Sequence, residues 1–398
     1  MGKLATVSFT SRPTEEDFLL FMLSQKIKRI VNYIIAVFLS IVIIAGSSVG
    51  IAAFCRVAYI SNPPKISIEG KYKNVILMIG DGMGFNHIEC GKAFLNSTEL
   101  EMQSLAVQSV KVSTYSKALF GPTDSAAAAT ALSTGKKTDN KSVARYRGKD
   151  IQTNAEIALS KKMAVGIIAT EGVKGATPAA FSSHSDNRGD DEDIFNGQLS
   201  SGIDLFLGGA KSYYDQKKDQ ITSAGYSYLT ELLSPLDYSA PVWGAFDIKT
   251  LKTDQTAENE NKSTLSEISL AAIDYLCNRS ENGFFLMIEE SHIDKRSHAN
   301  NMASMVRHLA AYNDAISAVV NKARTLGATL VIATADHETG WLKYSGETKD
   351  ELNDKMFLNG GHSSRKVPCF FYSYVGDIPA RIDNTQIADI CRYYILNR

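Results

Sequence analysis

Cysteine is scarce in this chain: five residues in 398, with none in a C-x-x-C pair. That spacing excludes a thioredoxin-like redox motif and a cysteine-rich structural zinc site. Setting Cys55 aside, Cys90, Cys277, Cys369 and Cys391 permit three pairings or four free thiols, and their wide separation leaves the choice open. An excess of charge of either sign is also missing. The 42 basic and 43 acidic residues leave a net charge of −1, so the bulk balance carries no footprint of a nucleic-acid partner. There is no internal repeat and no low-complexity tract, and hydrophobic residues make up 44% of the chain. These features exclude a disordered or collagen-like chain and allow a sizeable core. The length admits two or three domains, or one large α/β domain with insertions. A G-x-S-x-G elbow is absent as well, so no serine is armed in the manner of an α/β-hydrolase.

What the chain does have, near its start, is a long apolar run. Residues 31–55 contain no charged side chain, and 25 residues suffice to cross a bilayer as a helix. Lys26, Lys28 and Arg29 precede the run, and only Arg56 follows it directly. The positive-inside rule then places residues 1–30 in the cytoplasm and everything after the run outside. A cleaved signal peptide, with translation starting at Met1 or Met22, is the rival reading; Ser48, Gly50 and Ala52 supply the small residues it needs. The length of the run and the lack of a clear A-x-A site favour a retained membrane anchor. Either reading exports the remainder, to the outer face of the cell membrane or to a periplasmic or secreted location. The expected organisation is a cytoplasmic segment 1–30, an anchor or signal segment 31–55, a linker 56–73 and a catalytic domain 74–398.

Within that last region short apolar runs end in polar clusters: NVILMIGDG, SVKVSTYS, KMAVGIIATEG, IDLFLGG, GFFLMIEE, ATLVIATADH and VPCFFYS. Runs of this length, rich in Val, Ile, Phe and Leu, read as buried strands of a largely parallel sheet. Helical patterns lie between them at 125–134, 302–326 and 387–396. The alternation predicts an α/β fold, a three-layer sandwich with a central, mostly parallel sheet flanked by helices. The polar stretch 213–261 reads as an insertion or lid.

Several predicted strands end in residues able to bind metal. NVILMIG runs into Asp81, GFFLMI into Glu289, and ATLVIATA into Asp336 and His337. Asp294 and His298 stand four residues apart, on one face of a helix, and His362 precedes another strand. Taken singly, an acid after a strand is more often a cap or turn residue than a ligand, and an Asp/His pair at this spacing also suits a surface ion pair. Taken together, they would meet at the carboxyl ends of strands, where ligands gather in open parallel sheets. His with Asp suits zinc, and oxygen donors suit magnesium. Ser125 opens an Ala-rich helix, where N–H groups favour an anion. The plain alternative is a serine N-cap. Lacking an elbow, Ser125 would need a metal to lose its proton.

Six ordered motifs match one family. GDGMG at 80–84, TDSAAAATALSTGKKT at 123–138, ATPAAFSSHSDNR at 176–188, EESHIDKRSH at 289–298, TADHETG at 334–340 and GGHSS at 360–364 resemble bacterial alkaline phosphatases over almost all of 74–398. The resemblance implies the fold named above, Ser125 as a nucleophile that becomes phosphoserine, and a phosphate clamp at Arg188 held by Asp124. It implies one zinc on Asp81, Asp336 and His337, a second on Asp294, His298 and His362, and magnesium on Asp81, Thr177 and Glu289. Lys295 resembles a second cation near the phosphate. Three departures stand out. Gly175 occupies a place where bacterial relatives often carry Asp and animal ones His, which leaves the third metal's identity open. Trp341 stands where Gly is frequent, so the rim would be partly filled. Only 24 residues separate His337 from His362, so the loop that builds part of a homodimer interface would be shorter.

The implied activity is an exported, metal-dependent phosphomonoesterase acting on small phosphate monoesters. Two alternatives are a phosphodiesterase or sulfatase-like hydrolase on the same scaffold, and an inactive membrane-anchored phosphate or metal binder. A sulfatase would need a modifiable C/S-x-P-x-R, and Ser125 is followed by AAAA. The intact ligand set argues against the inactive binder. His87, His184 and His308 read as structural, Glu290 as a rim contact, and His292 as close enough to line the pocket.

Overall fold

The structure, a computed structural model, describes residues 65–117, 121–232, 235–248 and 262–398. The predicted segments 1–30 and 31–55, with Cys55, and the first half of the linker, 56–64, lie outside the described residues. Among those described, no helix is long and apolar enough to cross a membrane.

Ten strands build one sheet. In chain order they are β1 (Asn74–Gly80), β2 (Gln108–Ser113), β3 (Ala164–Ala169), β4 (Leu205–Gly208), β5 (Ser227–Leu229), β6 (Val242–Ala245), β7 (Phe284–Glu290), β8 (Thr329–Thr334), β9 (Val367–Phe371) and β10 (Arg381–Asp383). Their order across the sheet is β10-β2-β9-β8-β1-β7-β3-β4-β6-β5, and only β9 runs against the rest. β1 and β7 are buried along their whole length, which explains their continuous apolar runs. Helices α1 (Phe85–Leu95), α2 (Ser125–Thr134), α3 (Asn154–Ser160), α4 (Ala176–Ser182), α5 (Leu265–Arg279), α6 (His292–His298), α7 (Met302–Leu326) and α8 (Asn384–Leu396) cover it. α2, α3, α4 and α8 pack on one face, and α1, α5, α6 and α7 on the other. This is the expected layered α/β arrangement with a mostly parallel sheet.

Each of the seven predicted runs forms a strand. The stretch from 213 onward departs from the lid expectation, because β5 and β6 extend the sheet at its edge. Trp243 is fully buried there, with its ring centroid 4.5 Å from that of Phe206, and Phe195, Tyr214 and Tyr226 stack around it. One aromatic anchor thus holds a strand that its polar flanks conceal. Residues 249–261 lie outside the description. The last helix starts at Asn384 rather than 387, because Asp383 caps it through Thr385 N at 3.0 Å. Cys90, Cys277, Cys369 and Cys391 are all free thiols, so none of the three pairings forms. Burial pushes the Cys90 and Cys391 thiols up to about 12, which keeps them protonated and inert.

Register decides where the chemistry lies. Ile79 of β1 stands opposite both Thr334 of β8 and Glu289 of β7, so these three adjacent strands end level. The chain leaving β1 turns at Gly82, which has φ +76°. A Cβ there would lie 2.8 Å from Asp294 Cα and 2.9 Å from Thr339 Oγ1. The position therefore needs glycine for both its conformation and its close approach. Gly82→Ala is expected to cost on the order of 1–3 kcal/mol of stability in urea unfolding, from strain together with displacement of neighbouring groups. A loss below about 0.5 kcal/mol would show that the turn yields without strain.

Candidate active site

Asp81 follows β1 directly, and its backbone N–H donates to Glu290 O at 3.0 Å, so it is held at the strand end. Asp336 lies two residues beyond β8. Its Oδ1 accepts from Gly82 N at 3.1 Å and from His337 N at 2.8 Å, which fixes the carboxylate plane. His337 Nε2 lies 3.1 Å from Asp336 Oδ2, 3.4 Å from Asp81 Oδ1 and 3.1 Å from Ser125 Oγ. All four residues are buried. Asp81 Oδ1 and Asp336 Oδ2 nevertheless have no hydrogen-bond partner. Buried carboxylate oxygens are normally paired, so this pocket is short of positive charge.

A second group stands beside the first. Within α6, His298 Nε2 is 3.2 Å from Asp294 Oδ2, as the four-residue spacing requires. His362 Nε2 is 3.5 Å from Asp294 Oδ1 and 3.0 Å from His298 Nε2. The far nitrogens are tied back: His298 Nδ1 to Gly360 O, and His362 Nδ1 to Thr123 O at 2.9 Å. Each imidazole is thereby aimed with Nε2 into the site, the usual outer support of metal-binding histidines. The His337 and His362 rings stack at 3.6 Å and join the two groups. Thr339 Oγ1 donates to Asp294 Oδ1 and lies 3.2 Å from His337 Nδ1.

The electrostatics follow from this crowding. Burial, and then the carboxylates of Asp336, Asp294 and Glu289, hold the Asp81 carboxyl well above its ordinary range. Asp336 is pushed up to about 6, first by burial and then by Asp294. Burial raises Glu289 to about 8, against hydrogen bonds that lower it. Burial and the neighbouring His362 keep His337 far below an ordinary imidazole, hence neutral. Asp294 differs: burial works against ionisation, but hydrogen bonding to His298 and His362 holds it well below the carboxylate range.

Ser125 is the first residue of α2, a helix whose ten residues are all buried. Asp124, not Ser125, is the N-cap: its Oδ1 accepts from Ala127 N at 3.0 Å. The plain capping alternative for Ser125 is thereby removed, and its hydroxyl points at His337. Asp124 Oδ2 accepts from Lys141 N at 3.0 Å and lies 3.5 Å from Arg188 Nη1. Arg188 is thus held by the residue next to the serine and is partly exposed.

The remaining predicted residues lie around this centre. Thr177 is buried in α4 beside the Glu289 carboxyl, and Glu289 Oε2 accepts from Ser291 Oγ at 2.7 Å. Gly175 caps α4. Lys295, on α6, forms an ion pair with Glu171. Trp341 closes part of the rim, its Nε1 donating to His362 O at 2.9 Å. Glu290 and His292 do not line the rim; they turn to the other face of the sheet, toward His308. Sequence reasoning missed Thr339 and Glu171. Thr339 lies inside TADHETG and Glu171 lies at the end of the strand run KMAVGIIATEG, so both were open to notice.

The comparisons with known proteins agree with this geometry. A family model described as alkaline phosphatase matches residues 72–389. Alkaline phosphatase 4 of Bacillus subtilis is 30% identical over 349 residues, covering 80% of this chain and 73% of the relative. Escherichia coli alkaline phosphatase is 29% identical, covering 67% of this chain and 70% of the relative. The solved alkaline phosphatase of the Antarctic bacterium TAB5 superposes with a TM-score of 0.70 at 29% identity, covering 83% of this chain and 99% of that one. A variant of that enzyme has been solved with Mg bound in its M3 site, at a TM-score of 0.69 and 28% identity. With the family model spanning most of the chain and its groups of buried acids and imidazoles meeting at one sheet edge, this chain belongs to the alkaline phosphatase family and is a phosphatase built on that scaffold.

Proposed function

We propose that the chain is an exported, metal-dependent phosphomonoesterase that transfers the phosphoryl group of small phosphate monoesters to Ser125 and then to water. The observation that carries this reading is the position of Ser125 Oγ, 3.1 Å from His337 Nε2 at the edge of a pocket whose carboxylate oxygens lack partners. Export rests on residues 31–55 alone, which the structure does not describe.

The donor set fits the metals that the family implies. Asp81, Asp336 and His337 would hold one divalent ion, and Asp294, His298 and His362 a second; each trio brings its donor atoms within 4.8 Å of one another. Two imidazoles with a carboxylate, or two carboxylates with an imidazole, suit zinc. The buried Thr177 Oγ1 and the Glu289 carboxyl beside it, with Asp81, suit an oxygen-seeking ion such as magnesium. Gly175 offers no side chain there, so that site depends on fewer protein groups. When bound, such ions lower the pKa of oxygen nucleophiles and neutralise charge on the attacking and leaving oxygens of an in-line displacement.

The chain's own groups do the rest. The N-terminus of α2 presents a positive dipole end toward the phosphoryl oxygens. Arg188 donates to two non-bridging oxygens, and Asp124 fixes its direction. Ser125 Oγ gives its proton to solvent and attacks phosphorus, and the bond to the ester oxygen breaks as that oxygen takes a proton from water and departs as the alcohol. Water then attacks the phosphoserine, the Ser125 Oγ–phosphorus bond breaks, Oγ regains a proton from the attacking water, and inorganic phosphate leaves. The cation of Arg188 rewards the doubly charged terminal phosphate of a monoester over a diester.

Ser125→Ala is expected to lower p-nitrophenyl phosphate turnover by on the order of 10³-fold or more while leaving metal content unchanged. A collapse of metal content in that variant would refute the division of roles. Arg188→Ala is expected to weaken inhibition by inorganic phosphate about ten- to a hundredfold, the loss of one charged hydrogen-bonding partner, with some turnover retained. Unchanged phosphate inhibition would remove Arg188 from the site. Faster hydrolysis of the bis-ester than of the monoester would overturn the monoesterase reading.

A further inference from the structure

The opposite face of the same sheet edge holds a group of side chains that the phosphoryl chemistry does not use. Successive residues of a strand point to opposite faces, so Glu289 turns toward α4 and Glu290 toward α7. Glu290 is 2% exposed, and its Oε1 lies 3.1 Å from His308 Nδ1 of α7 and 3.6 Å from His292 Nδ1 of α6. The two imidazoles stack at 4.9 Å, the separation also found for His298 and His362 in the candidate active site. Beside them lies a cavity of about 170 Å³, bounded also by Thr170, Ile248, Leu265 and Arg296.

We propose that Glu290, His292 and His308 form a separate site for one divalent transition-metal ion, zinc being the natural candidate. Donor atoms about 2.0–2.1 Å from a tetrahedral zinc stand roughly 3.3 Å from one another, and the two measured separations bracket that value. The donor atoms of all three residues fall within 4.8 Å of one another. A purely structural cluster would satisfy its buried polar atoms internally. His308 is only 9% exposed, yet its Nδ1, 3.1 Å from Glu290 Oε1, makes no well-aligned hydrogen bond to it. Thr170 Oγ1 lies 3.1 Å from His292 Nδ1, and that nitrogen would exchange this hydrogen bond for the metal. The cavity leaves room for a further ligand, and Arg296 on its wall favours an anion in that position. The Glu–His–His composition matches an open site rather than a closed structural one. This site stands apart from the phosphatase reading and does not depend on it.

The test is zinc stoichiometry of the full chain. Metal-stripped protein is titrated with Zn²⁺ against a chromophoric chelator, and bound zinc is counted by mass spectrometry after desalting. His308→Gln is expected to hold one zinc per chain fewer than the unmodified protein, with p-nitrophenyl phosphate turnover retained. Should the buried His308 variant fail to fold, His292→Ala, on the more exposed ligand, is expected to show the same deficit. Equal zinc content in the unmodified protein and a folded variant overturns the site. A loss of more than one zinc together with turnover also overturns it, because the residues would then belong to the active centre.

Discussion

Uncompensated negative charge in a dry place is the constraint on which the rest of this structure depends. Asp81 and Asp336 are buried, and each keeps a carboxylate oxygen with no partner. Glu289 and Asp294 stand close enough to raise their neighbours' affinity for protons. An ionised carboxylate out of water costs several kcal/mol unless it is paired. A chain that gathers four buried carboxyls must leave some of them protonated or bring in cations, and the imidazoles of His298, His337 and His362 stand among them.

The architecture makes that arrangement affordable. β1, β7 and β8 are adjacent, parallel and level at their ends, so residues more than two hundred positions apart meet without long loops. The apolar strands beneath are rigid and fully buried, which keeps the ligands from relaxing away from one another. α2 adds the serine from above, and its alanines allow the close packing that a buried ten-residue helix needs. Support from behind is just as specific: the carbonyls of Gly360 and Thr123 orient two imidazoles, and Asp124 divides its oxygens between the helix cap and the region of Lys141 and Arg188.

Much of this was legible in the sequence, for identifiable reasons. A fully buried parallel strand reads as a continuous apolar run, and the acids at its end stand out against it, as at Asp81 and Asp336. Motifs that are dense in chemistry, such as TADHETG, declare themselves. The edge of the sheet did not, because β5, β6 and β10 are only three or four residues long and their pairing depends on distant contacts, Trp243 above all. The partnership of Lys295 with Glu171 was hidden because it joins two segments more than a hundred residues apart. Glu290 was misplaced for a subtler reason: one step along a strand changes the face, and motif proximity says nothing about which face a side chain takes.

The claim that these buried acids and imidazoles exist to hold cations around Ser125 is tested most directly by anomalous diffraction at the zinc edge from crystals of the zinc-loaded protein. The account predicts one peak bounded by Asp81, Asp336 and His337, and another bounded by Asp294, His298 and His362, with Ser125 Oγ facing the first. Zinc found away from both groups, in crystals of protein that hydrolyses phosphate esters, would contradict it.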